Sequence, residues 1–493
     1  MTLIIWLIVV AALLVVHLIV NKRNKGLSQY PGPALAGYTN LWRFFSALGR
    51  QTEQIHVALH RKHGDIVRLG PNALSFADPA CIPSIYGLNK GMIKSDFYPV
   101  QQAVSKGERL QSLFSTQDEA YHARYKRCIN AAFSMTTIVQ YESLVDSTLK
   151  VFMRETDRRY ASTGAECDLS TWMQYFAFDV VGELTWSKRI GFLERGEDVD
   201  GIISFLGKFL AYASPVGQMP WLDKIWLKNP LRLYLQKLGI STTVFAITRF
   251  ALERESERAA KQPSSSQRDL LSKFHSAQHA HPTIMTDSQV LASCTSMIFA
   301  GSETTAISLC AVFYHLLKHS NCYTKLQHEL DSTPTSHIVS WSQAQSLTYL
   351  DAVIRESFRL HPAAGLTLER IVPPCGADIN GTFIPGGTIV GCNAWVLHRR
   401  PEVFGEDVDS FRPERWLDVP PTQLNKMKAA MFQFGAGGRT CLGRHVSLLE
   451  IYKLVPTLMR SYDLEMVSEG KCVNNWFVKR AGFRVKFKKR WLE

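Results

Sequence analysis

Residues 434–443 (Phe-Gly-Ala-Gly-Gly-Arg-Thr-Cys-Leu-Gly) constrain what this chain can fold into more than any other stretch, because they place one cysteine inside a glycine-rich turn. Glycines let the backbone approach the sulfur closely, and a nearby cation and backbone N–H groups stabilise a thiolate. Arg439 can neutralise an anionic group on the ligand that Cys441 holds, and Phe434 can shield the sulfur from water. The pattern indicates a cradle for a metal-bound thiolate, with a buried structural cysteine as the alternative.

A second motif lies within a long apolar segment. From Thr286, a plausible N-cap, to Lys318 the chain contains no proline and predicts one helix that is apolar on most faces and therefore belongs in a core. Residues 300–305 (Ala-Gly-Ser-Glu-Thr-Thr) place an acid and a hydroxyl among apolar neighbours. Gly301 would leave room for a flat ligand or dioxygen, and the Thr304 hydroxyl can bond to a carbonyl one turn back. The alternative is a packing glycine followed by a capped polar pair.

A third motif combines an acid and a base. Glu356 and Arg359 are three residues apart, so they can pair on one helix face. The spacing alone is a weak signal, because Glu155 and Arg158 repeat it in a charge-rich segment that predicts a solvated helix face. Context distinguishes the pair of Glu356 and Arg359. This pair follows an apolar run, and residues 411–416 (Phe-Arg-Pro-Glu-Arg-Trp) lie further along the chain.

These segments resemble the motifs of the cytochrome P450 family. Its haem-ligand loop reads Phe-x-x-Gly-x-Arg-x-Cys-x-Gly, its oxygen-activation motif reads Ala/Gly-Gly-x-Asp/Glu-Thr-Thr/Ser, and its structural pair reads Glu-x-x-Arg. Haem iron in this family is held by a cysteine thiolate. The resemblance therefore implies haem b (iron protoporphyrin IX) with Cys441 as axial ligand. It also implies a mostly helical α+β fold, the cytochrome P450 fold with a small β region, preceded by one N-terminal transmembrane helix.

The resemblance assigns roles to individual residues. Glu303 and Thr304 are expected to be catalytic and to relay protons. Glu356, Arg359 and Arg415 are expected to form a buried charge triad beside the cysteine loop. The positions expected to bind the haem are Cys441, Arg439, Arg370, His122, Lys126, Phe434, Gly435 and Gly443.

One expected propionate anchor departs from the family pattern. The family has Trp-x-x-x-Arg in the helix before an Ala-Phe-Ser segment, whereas His122 and Lys126 stand at those positions here. Both side chains can donate to a carboxylate, but a lysine lacks the bidentate fork of an arginine. Arg124 and Arg127 are alternatives, so the sequence leaves open which cation anchors the propionate.

The N-terminus predicts a membrane anchor. Residues 3–20 are apolar at every position except His17, and about 18–20 such residues suffice to cross a bilayer. Positive charges follow the segment rather than precede it, which favours a signal-anchor and places the rest of the chain in the cytosol. We expect a transmembrane segment at residues 1–20, a basic and Pro/Gly hinge at residues 21–35 and a catalytic domain at residues 36–493. A single-pass protein of the endoplasmic reticulum membrane is the predicted location.

The net charge of +13 is not accompanied by a basic stripe interleaved with aromatic residues, so nucleic acid is not an expected partner. An anionic membrane surface and an acidic protein partner explain the charge better. The ten cysteines include no Cys-x-x-Cys pair, which indicates a reducing compartment. The docking face for a reductase is predicted to contain Arg124, Lys126, Arg127, Arg444 and Lys453.

The expected function is a monooxygenase that inserts one oxygen atom from O2 into an apolar small molecule. Electrons are expected from NADPH through a separate NADPH–cytochrome P450 reductase, with cytochrome b5 as a second candidate donor. No Gly-x-Gly-x-x-Gly loop lies at a strand–helix junction, so NADPH is not expected to bind this chain. One alternative is a haem-thiolate isomerase or dehydratase, a class that tends to lack the acid–threonine pair. The other is a non-enzymatic haem-binding sensor.

Two further stretches, residues 68–72 and 168–191, look most like filamentous-fungal members of the family in secondary metabolism, including the pisatin demethylase-like group. Strands are predicted within residues 63–77 and 376–390. Pocket positions are expected in five segments, with room above the haem at residues 363–365 for a bulky apolar terpenoid, alkaloid or polyketide. Those segments are residues 98–114, 205–221, 294–304, 363–368 and 474–477.

Overall fold

The computed structural model describes residues 2–105, 107–239, 246–260 and 269–490. Most of these residues are helical, which confirms the predicted fold class. The α-helices are α1 Thr2–Arg23, α2 Leu41–Leu48, α3 Thr52–His63, α4 Ile82–Tyr86, α5 Glu119–Ile129, α6 Met135–Val139, α7 Glu142–Thr156, α8 Leu169–Trp186, α9 Phe192–Arg195, α10 Ile202–Val216, α11 Trp221–Ile225, α12 Pro230–Lys237, α13 Ala246–Ala260, α14 Leu270–Ala280, α15 Asp287–Lys318, α16 Ser320–Ser332, α17 Trp341–Gln345, α18 Thr348–Leu360, α19 Ala394–Leu397, α20 Pro401–Phe404, α21 Pro421–Ala430 and α22 Arg444–Ser461.

The strands form small sheets at the margin of the helices. They are β1 Ile66–Gly70, β2 Ala73–Phe76, β3 Ile93–Lys94, β4 Val104–Ser105, β5 Glu108–Arg109, β6 Cys167–Asp168, β7 Arg370–Ile371, β8 Ala377–Ile379, β9 Thr382–Ile384, β10 Ile389–Cys392, β11 Tyr462–Asn475 and β12 Phe477–Lys489. One sheet has the order β1-β2-β10-β7-β3, and a second has the order β11-β12-β6. The pairs β4-β5 and β8-β9 stand alone.

Helix α15 is the centre of the core. It has the predicted bounds, with Thr286 at the N-cap position, and it packs against α8, α13, α14, α18, α22 and β12. Its mean hydropathy is 1.4 and 72% of its most apolar window is buried, so its apolar character is that of a core helix. Helix α8 is buried at nearly every position and is its main neighbour.

Helix α1 has the opposite surroundings. Its mean hydropathy is 3.2 and none of its residues is buried, so it has the length and exposure of a membrane-spanning helix. It continues to Arg23, into the segment that the sequence assigns to the hinge. The chain then turns at Lys25 and Gly26, which both have left-handed φ values, before it reaches Pro31.

The C-terminal hairpin of β11 and β12 is an element that sequence analysis missed. Its strands pair antiparallel along nearly their whole length, and Trp476 forms the tip between them. The alternation of Phe483, Val485 and Phe487 with basic residues is the period-two signal that predicts such a strand. The hairpin packs on α8 and α15 and brings its tip to the cavity described below.

Candidate active site

The cysteine loop ends where α22 begins. Gly437–Arg439 form a single 3-10 turn, and α22 starts at Arg444, three residues after Cys441. The Cys441 backbone N–H donates to the carbonyl oxygen of Phe434 at 2.8 Å, which closes the loop. The Cys441 side chain is exposed, whereas six of the ten cysteines are buried. The loop thus presents one cysteine to open space at the N-terminus of a helix, where the helix dipole favours a negative charge.

Glycines shape this loop in two ways. Gly435 and Gly437 have φ values of 67° and 63°, in the left-handed region that favours glycine. A Cβ on Gly437 would lie 1.7 Å from the carbonyl oxygen of Tyr86. The loop can therefore pack against Tyr86 only because residue 437 has no side chain. A Cβ on Gly443 would meet nothing within 4 Å, so open space borders the loop on that side.

Opposing effects act on the Cys441 thiol. The surrounding protein raises the pKa of Cys441 above its usual value. Hydrogen bonds from the backbone N–H groups of Gly443 and Arg444 lower this pKa, as do the positive charges of Arg444 and Lys126. The chain therefore supplies donors and cations to a thiolate at this point.

Four buried basic residues, which we call the cationic cluster, lie near the loop. Lys94, His122 and Arg370 are 4%, 7% and 5% exposed, and the Arg439 side chain is 6% exposed. Burial, followed by the charges of Arg370 and Arg439, lowers the pKa of Lys94 well below its usual value. Burial and the same neighbours, with Arg439 first, lower the pKa of His122 to about 3. Like charges are therefore concentrated in an interior where each is costly.

The charge of this cluster fits the two propionates of a haem. Arg439 pairs with Glu119 at 2.7 Å and donates to the Leu113 carbonyl at 3.0 Å. Arg370 donates to the Tyr98 hydroxyl at 3.3 Å. One carboxylate against three ionisable cations leaves an excess of buried positive charge, which two further carboxylates would balance.

Lys94 is a member of the cluster that sequence analysis missed. It lies directly opposite Arg370 in the pairing of β3 with β7. Its Nζ lies 4.2 Å from the ring centroids of both Tyr98 and Phe114 and donates to the Phe114 carbonyl oxygen. The sequence signal was a single lysine in a short apolar run, which gives no indication that the side chain turns inward.

The basic residues of α5 have different surroundings. Lys126 donates to the carbonyl oxygen of Gly438 at 2.8 Å, so it contacts the cysteine loop itself. Arg124 and Arg127 are exposed and lie on other faces of α5. Lys453 was wrongly assigned to the docking face, because it is fully buried and pairs with Glu142 at 2.5 Å and Asp146 at 2.8 Å.

The side chains of Glu303 and Thr304 in α15 contact different neighbours. The Thr304 hydroxyl donates to the Ala300 carbonyl at 2.8 Å, as the sequence predicts. The buried Glu303 carboxylate accepts a hydrogen bond from the Gln174 side chain of α8, which in turn accepts one from Lys479 of β12. Burial raises the pKa of Glu303, and the positive charge of Lys479 acts against this. Glu303 is thus linked through Gln174 to a half-buried lysine, and Thr304 lies one turn beyond Ala300.

Gly301 does not have the role that the sequence suggested. A Cβ at this position would lie 2.9 Å from a methyl group of Val181 in α8. The missing side chain therefore permits close packing of α15 on α8 rather than space for a ligand. Gly365 is similar, because its Cβ would lie 2.4 Å from the Asn474 side chain, so this glycine permits close packing rather than space for a ligand.

Glu356, Arg359 and Arg415 do come together. Arg359 and Glu356 pair at 2.7 Å with both side chains fully buried, and Arg415 reaches the same carboxylate at 3.3 Å. Arg415 also pairs with Asp407 at 2.8 Å, and Trp416 donates to Glu356 at 2.9 Å. The group is a closed network in which each buried charge has partners.

His398 connects this triad to the cysteine loop. Burial, followed by the charge of Arg359, lowers the pKa of His398 to about 3, so the ring is neutral. Its Nε2 accepts from the Phe432 backbone N–H at 2.7 Å, which leaves Nδ1 to donate to the Arg359 carbonyl at 3.2 Å. The Phe358 ring, next to Arg359, meets the Phe434 ring edge-on at 5.6 Å. The triad is therefore linked to the cysteine loop through two neighbouring side chains, those of His398 and Phe358.

The sequence described the pair of Glu155 and Arg158 only in part. Arg158 is exposed and pairs with Glu155 at 2.6 Å. Glu155 itself is buried and also accepts from Arg154 and Arg159, so the expectation of a solvated face is wrong for the acid.

A cavity that is partly open to solvent lies on the side of α15 that carries Ala300. We call it the α15 cavity. It is bordered by α10, α13 and α15, by the segment before α5 and by the tip of the β11–β12 hairpin. Its lining residues are Gln101, Ala103, Leu110, Ser112, Phe114, Phe205, Phe209, Ile247, Thr248, Ala292, Thr295, Ser296, Phe299, Ala300, Trp476 and Phe477.

The cavity matches four of the five predicted pocket segments in part. Residues 98–114, 205–221, 294–304 and 474–477 each contribute to the lining. Residues 363–368 do not, because Leu366 and Thr367 border a smaller polar cavity instead. Ile247 and Thr248 of α13 are lining residues that sequence analysis missed.

The fold, the cysteine loop and the triad agree with the class of protein that the resemblance predicted. The family model for cytochrome P450 matches residues 35–481, so the chain belongs to the cytochrome P450 family. It is an oxidoreductase of the monooxygenase class, and the predicted resemblance is confirmed. Membership of this family implies a cysteine-ligated haem, a redox partner, O2 and a substrate.

Among similar proteins are several fungal monooxygenases. A cytochrome P450 monooxygenase of Aspergillus terreus is 43% identical over 89% of this chain and 90% of its own length. The cytochrome P450 monooxygenase cicH of Emericella nidulans is 39% identical over 97% of both chains. The cytochrome P450 monooxygenase pkfB of the same organism is 39% identical over 98% of this chain and 96% of its own.

Proposed function

We propose that this protein is a membrane-anchored monooxygenase of fungal secondary metabolism that takes electrons from NADPH through a separate reductase. It binds haem b through Cys441, and it inserts one oxygen atom from O2 into an apolar small molecule. The observation that carries the proposal is the exposed Cys441 at the N-terminus of α22, beside a buried cationic cluster with excess positive charge. When bound, the haem supplies the binding and reductive activation of dioxygen.

The residues of this chain have separate tasks in that chemistry. The N–H groups of Gly443 and Arg444 stabilise the Cys441 thiolate, and Lys94, Arg370 and Arg439 hold the propionates. Thr304 presents a hydroxyl that can move a proton toward the site, and Glu303 supplies protons from the interior. The network of Gln174 and Lys479 holds the Glu303 carboxylate in place.

Reduction under carbon monoxide tests this proposal without knowledge of the substrate. The full-length protein is incubated under carbon monoxide with NADPH and NADPH–cytochrome P450 reductase. We expect the red-shifted Soret band of a thiolate-ligated haem with the reductase present and no band with NADPH alone. A sensor without a redox partner would form the band with dithionite but not with the reductase, and that result would overturn the proposal. An isomerase or dehydratase needs no external electrons, so absence of the reductase-dependent band would also favour that class over the monooxygenase.

Replacement of Thr304 by alanine is expected to divert electrons from product to hydrogen peroxide. The hydroxyl is a scarce polar group near Ala300, and loss of a general acid–base group costs about 10²–10⁴-fold in rate. We expect the ratio of product to NADPH consumed to fall at least about tenfold, with haem content unchanged. Ser308→Ala is the matched control, because Ser308 makes the same back-bond at 2.9 Å one turn further along. Equal coupling in the two variants would rule out the relay.

Deletion of residues 2–20 is expected to release most of the protein from membranes. Helix α1 is the exposed apolar helix of spanning length among the described residues, whereas the other apolar helix, α15, is mostly buried. Carbonate extraction should leave the full-length protein in the pellet and move the deletion variant to the supernatant. Residual binding is expected from the exposed Trp221 and Ile225 of α11 and from Trp226, which follows it. Extraction of the full-length protein by carbonate would disprove the anchor.

A further inference from the structure

We propose that the substrate is a flat, uncharged aromatic molecule that carries hydroxyl or carbonyl oxygens, and that Gln101 determines this preference. The inference rests on the proposed function, because it names the substrate class of the same site. It goes beyond the expectation of a bulky apolar molecule, since three properties of the α15 cavity restrict the ligand: its charge, its shape and its unpaired polar groups.

The charge of the cavity wall excludes ionised ligands. None of the sixteen lining residues in the described part of the chain is acidic, basic or histidine. A carboxylate or an ammonium group would lose its hydration here without gaining a charged partner, which is strongly unfavourable. The substrate is therefore neutral.

The shape of the wall favours flat rings. Six lining residues are aromatic, and two of their contacts are stacked pairs. The rings of Phe205 and Phe209 are 6.2 Å apart and 11° from parallel, and those of Trp476 and Phe477 are 4.7 Å apart and 17° from parallel. Parallel aromatic faces stack best on planar aromatic ligands.

Unpaired polar groups on residues of this apolar wall would be satisfied by oxygen atoms on the ligand. Within the described residues, both carboxamide atoms of Gln101, the hydroxyls of Thr248 and Thr295 and the indole nitrogen of Trp476 are buried without a hydrogen-bond partner. Buried polar groups are normally paired, so four such residues around one cavity are unusual.

Thr295 shows that this is not a general property of α15. The hydroxyls of Ser293, Ser296, Ser302 and Thr304 all donate to the carbonyl four residues earlier in the helix. Thr295 lines the cavity, and its buried hydroxyl has no partner in the described part of the chain. It lies nine residues before Thr304, about 14 Å along the helix axis. The polar group of Thr295 that would bind the ligand thus lies away from Thr304 and from the end of the cavity where the substrate would be oxidised.

Gln101 is the best placed of these residues to select the ligand. Its backbone is fixed, because the preceding Val100 carbonyl accepts from Lys228 at 2.7 Å and Lys228 pairs with buried Asp223 at 2.8 Å. Its carboxamide is closed to water in this structure, but its terminal torsion is broad and can turn the group toward a ligand. A carboxamide offers a donor and an acceptor side by side, which matches a hydroxyl together with a carbonyl.

Trp476 adds a second donor from the opposite wall. Its φ of 80° is an outlier for a bulky residue, and such strain persists where neighbouring contacts enforce it. The Asn474 side chain accepts from its backbone N–H at 2.9 Å, and Gly365 donates to its carbonyl at 2.8 Å. The indole N–H can only donate, so it requires an acceptor oxygen on the ligand.

Four tricyclic probes of one shape test the proposal: fluorene, 9-fluorenone, 2-hydroxy-9-fluorenone and 9-fluorenone-2-carboxylate. Binding to the full-length haem-loaded protein is measured by the Soret shift and, independently of iron, by equilibrium dialysis. We expect 2-hydroxy-9-fluorenone to bind at least about fivefold more tightly than fluorene, since each neutral hydrogen bond contributes modestly. The carboxylate should bind at least about tenfold more weakly than 9-fluorenone. Simple partition would favour fluorene, so fluorene binding as tightly as the hydroxyketone would overturn the proposal.

Variants assign the preference to Gln101. Gln101→Leu should bind fluorene more tightly than 2-hydroxy-9-fluorenone, which reverses the order seen in the wild type. Gln102→Leu is the matched control, because Gln102 is buried next to Gln101 but does not line the cavity, and it should keep the wild-type order. If Gln101→Leu does not fold, Gln101→Met serves instead, and the wild-type series needs no variant. An unchanged order in the Gln101 variant would contradict its role.

These outcomes are distinguishable from failure of the proposed function. Absence of reductase-dependent formation of the carbon monoxide band would contradict the monooxygenase. Dialysis would still report whether the cavity prefers the neutral oxygenated probe, so the two conclusions stand or fall on different measurements.

Discussion

Replacement of Cys441 by alanine is expected to abolish the carbon monoxide band of the reduced protein and all reductase-dependent turnover. The thiol is the group that the loop presents to open space, and backbone N–H groups and cations around it favour its ionised form. The fold should survive, because the bond that closes the loop runs from the backbone N–H of residue 441 to the Phe434 carbonyl. The measurements are the reduced carbon monoxide spectrum, the ratio of haem to protein and resistance to proteolysis.

Cys375→Ala is the control for this experiment. Cys375 is the other exposed cysteine among the ten, and it lies in the turn before β8. Its replacement should leave the spectrum unchanged. The assignment of the iron ligand is wrong if the Cys441 variant keeps the band.

Replacement of Arg359 by glutamine is expected to lower the free energy of unfolding by about 3–5 kcal/mol, the usual cost of leaving a buried charge unpaired. Arg359 donates to the Val408 carbonyl at 2.6 Å, the His398 carbonyl at 3.0 Å and the Ser410 carbonyl at 3.0 Å, besides its pair with Glu356. Because His398 holds the Phe432 N–H, the damage should spread to the cysteine loop and release haem. Thermal loss of the Soret band and the yield of haem-loaded protein measure the effect.

Arg158→Gln provides a matched control. Arg158 has the same three-residue spacing to its acid and a similar pair distance, 2.6 Å against 2.7 Å for Arg359. Its side chain is 60% exposed, and exposed pairs contribute about 0–1 kcal/mol. Similar stability of the two variants would show that burial of the triad does not matter.

Linear motifs were the part of this site that the sequence could predict. The Cys441 loop, the bounds of α15 and the pairing of Glu356 with Arg359 all follow from residues at fixed spacing. Local spacing defines local geometry, and the charge triad follows from the family resemblance. The fold class was legible for the same reason.

The remaining features depend on contacts between distant segments. Lys94 joins the cationic cluster because β3 pairs with β7, and Lys453 leaves the surface because it meets Glu142. Gly301 faces α8 rather than a ligand, a choice that depends on which side of α15 is turned inward. Gln174 lies more than a hundred residues from Glu303 in the chain. A single sequence carries no signal for pairings of this kind.

The α15 cavity and the Cys441 loop share no residue. Under the proposed function, the side chains that select the substrate belong to α10, α13, α15, the segment before α5 and the β11–β12 hairpin, whereas the haem is held by a separate loop at the start of α22. Duplicated genes of this architecture can diverge in what they oxidise through a few wall substitutions, with the oxidising centre inherited intact. Because the two regions are separate, the fold can accept new metabolites while its oxidative chemistry stays the same.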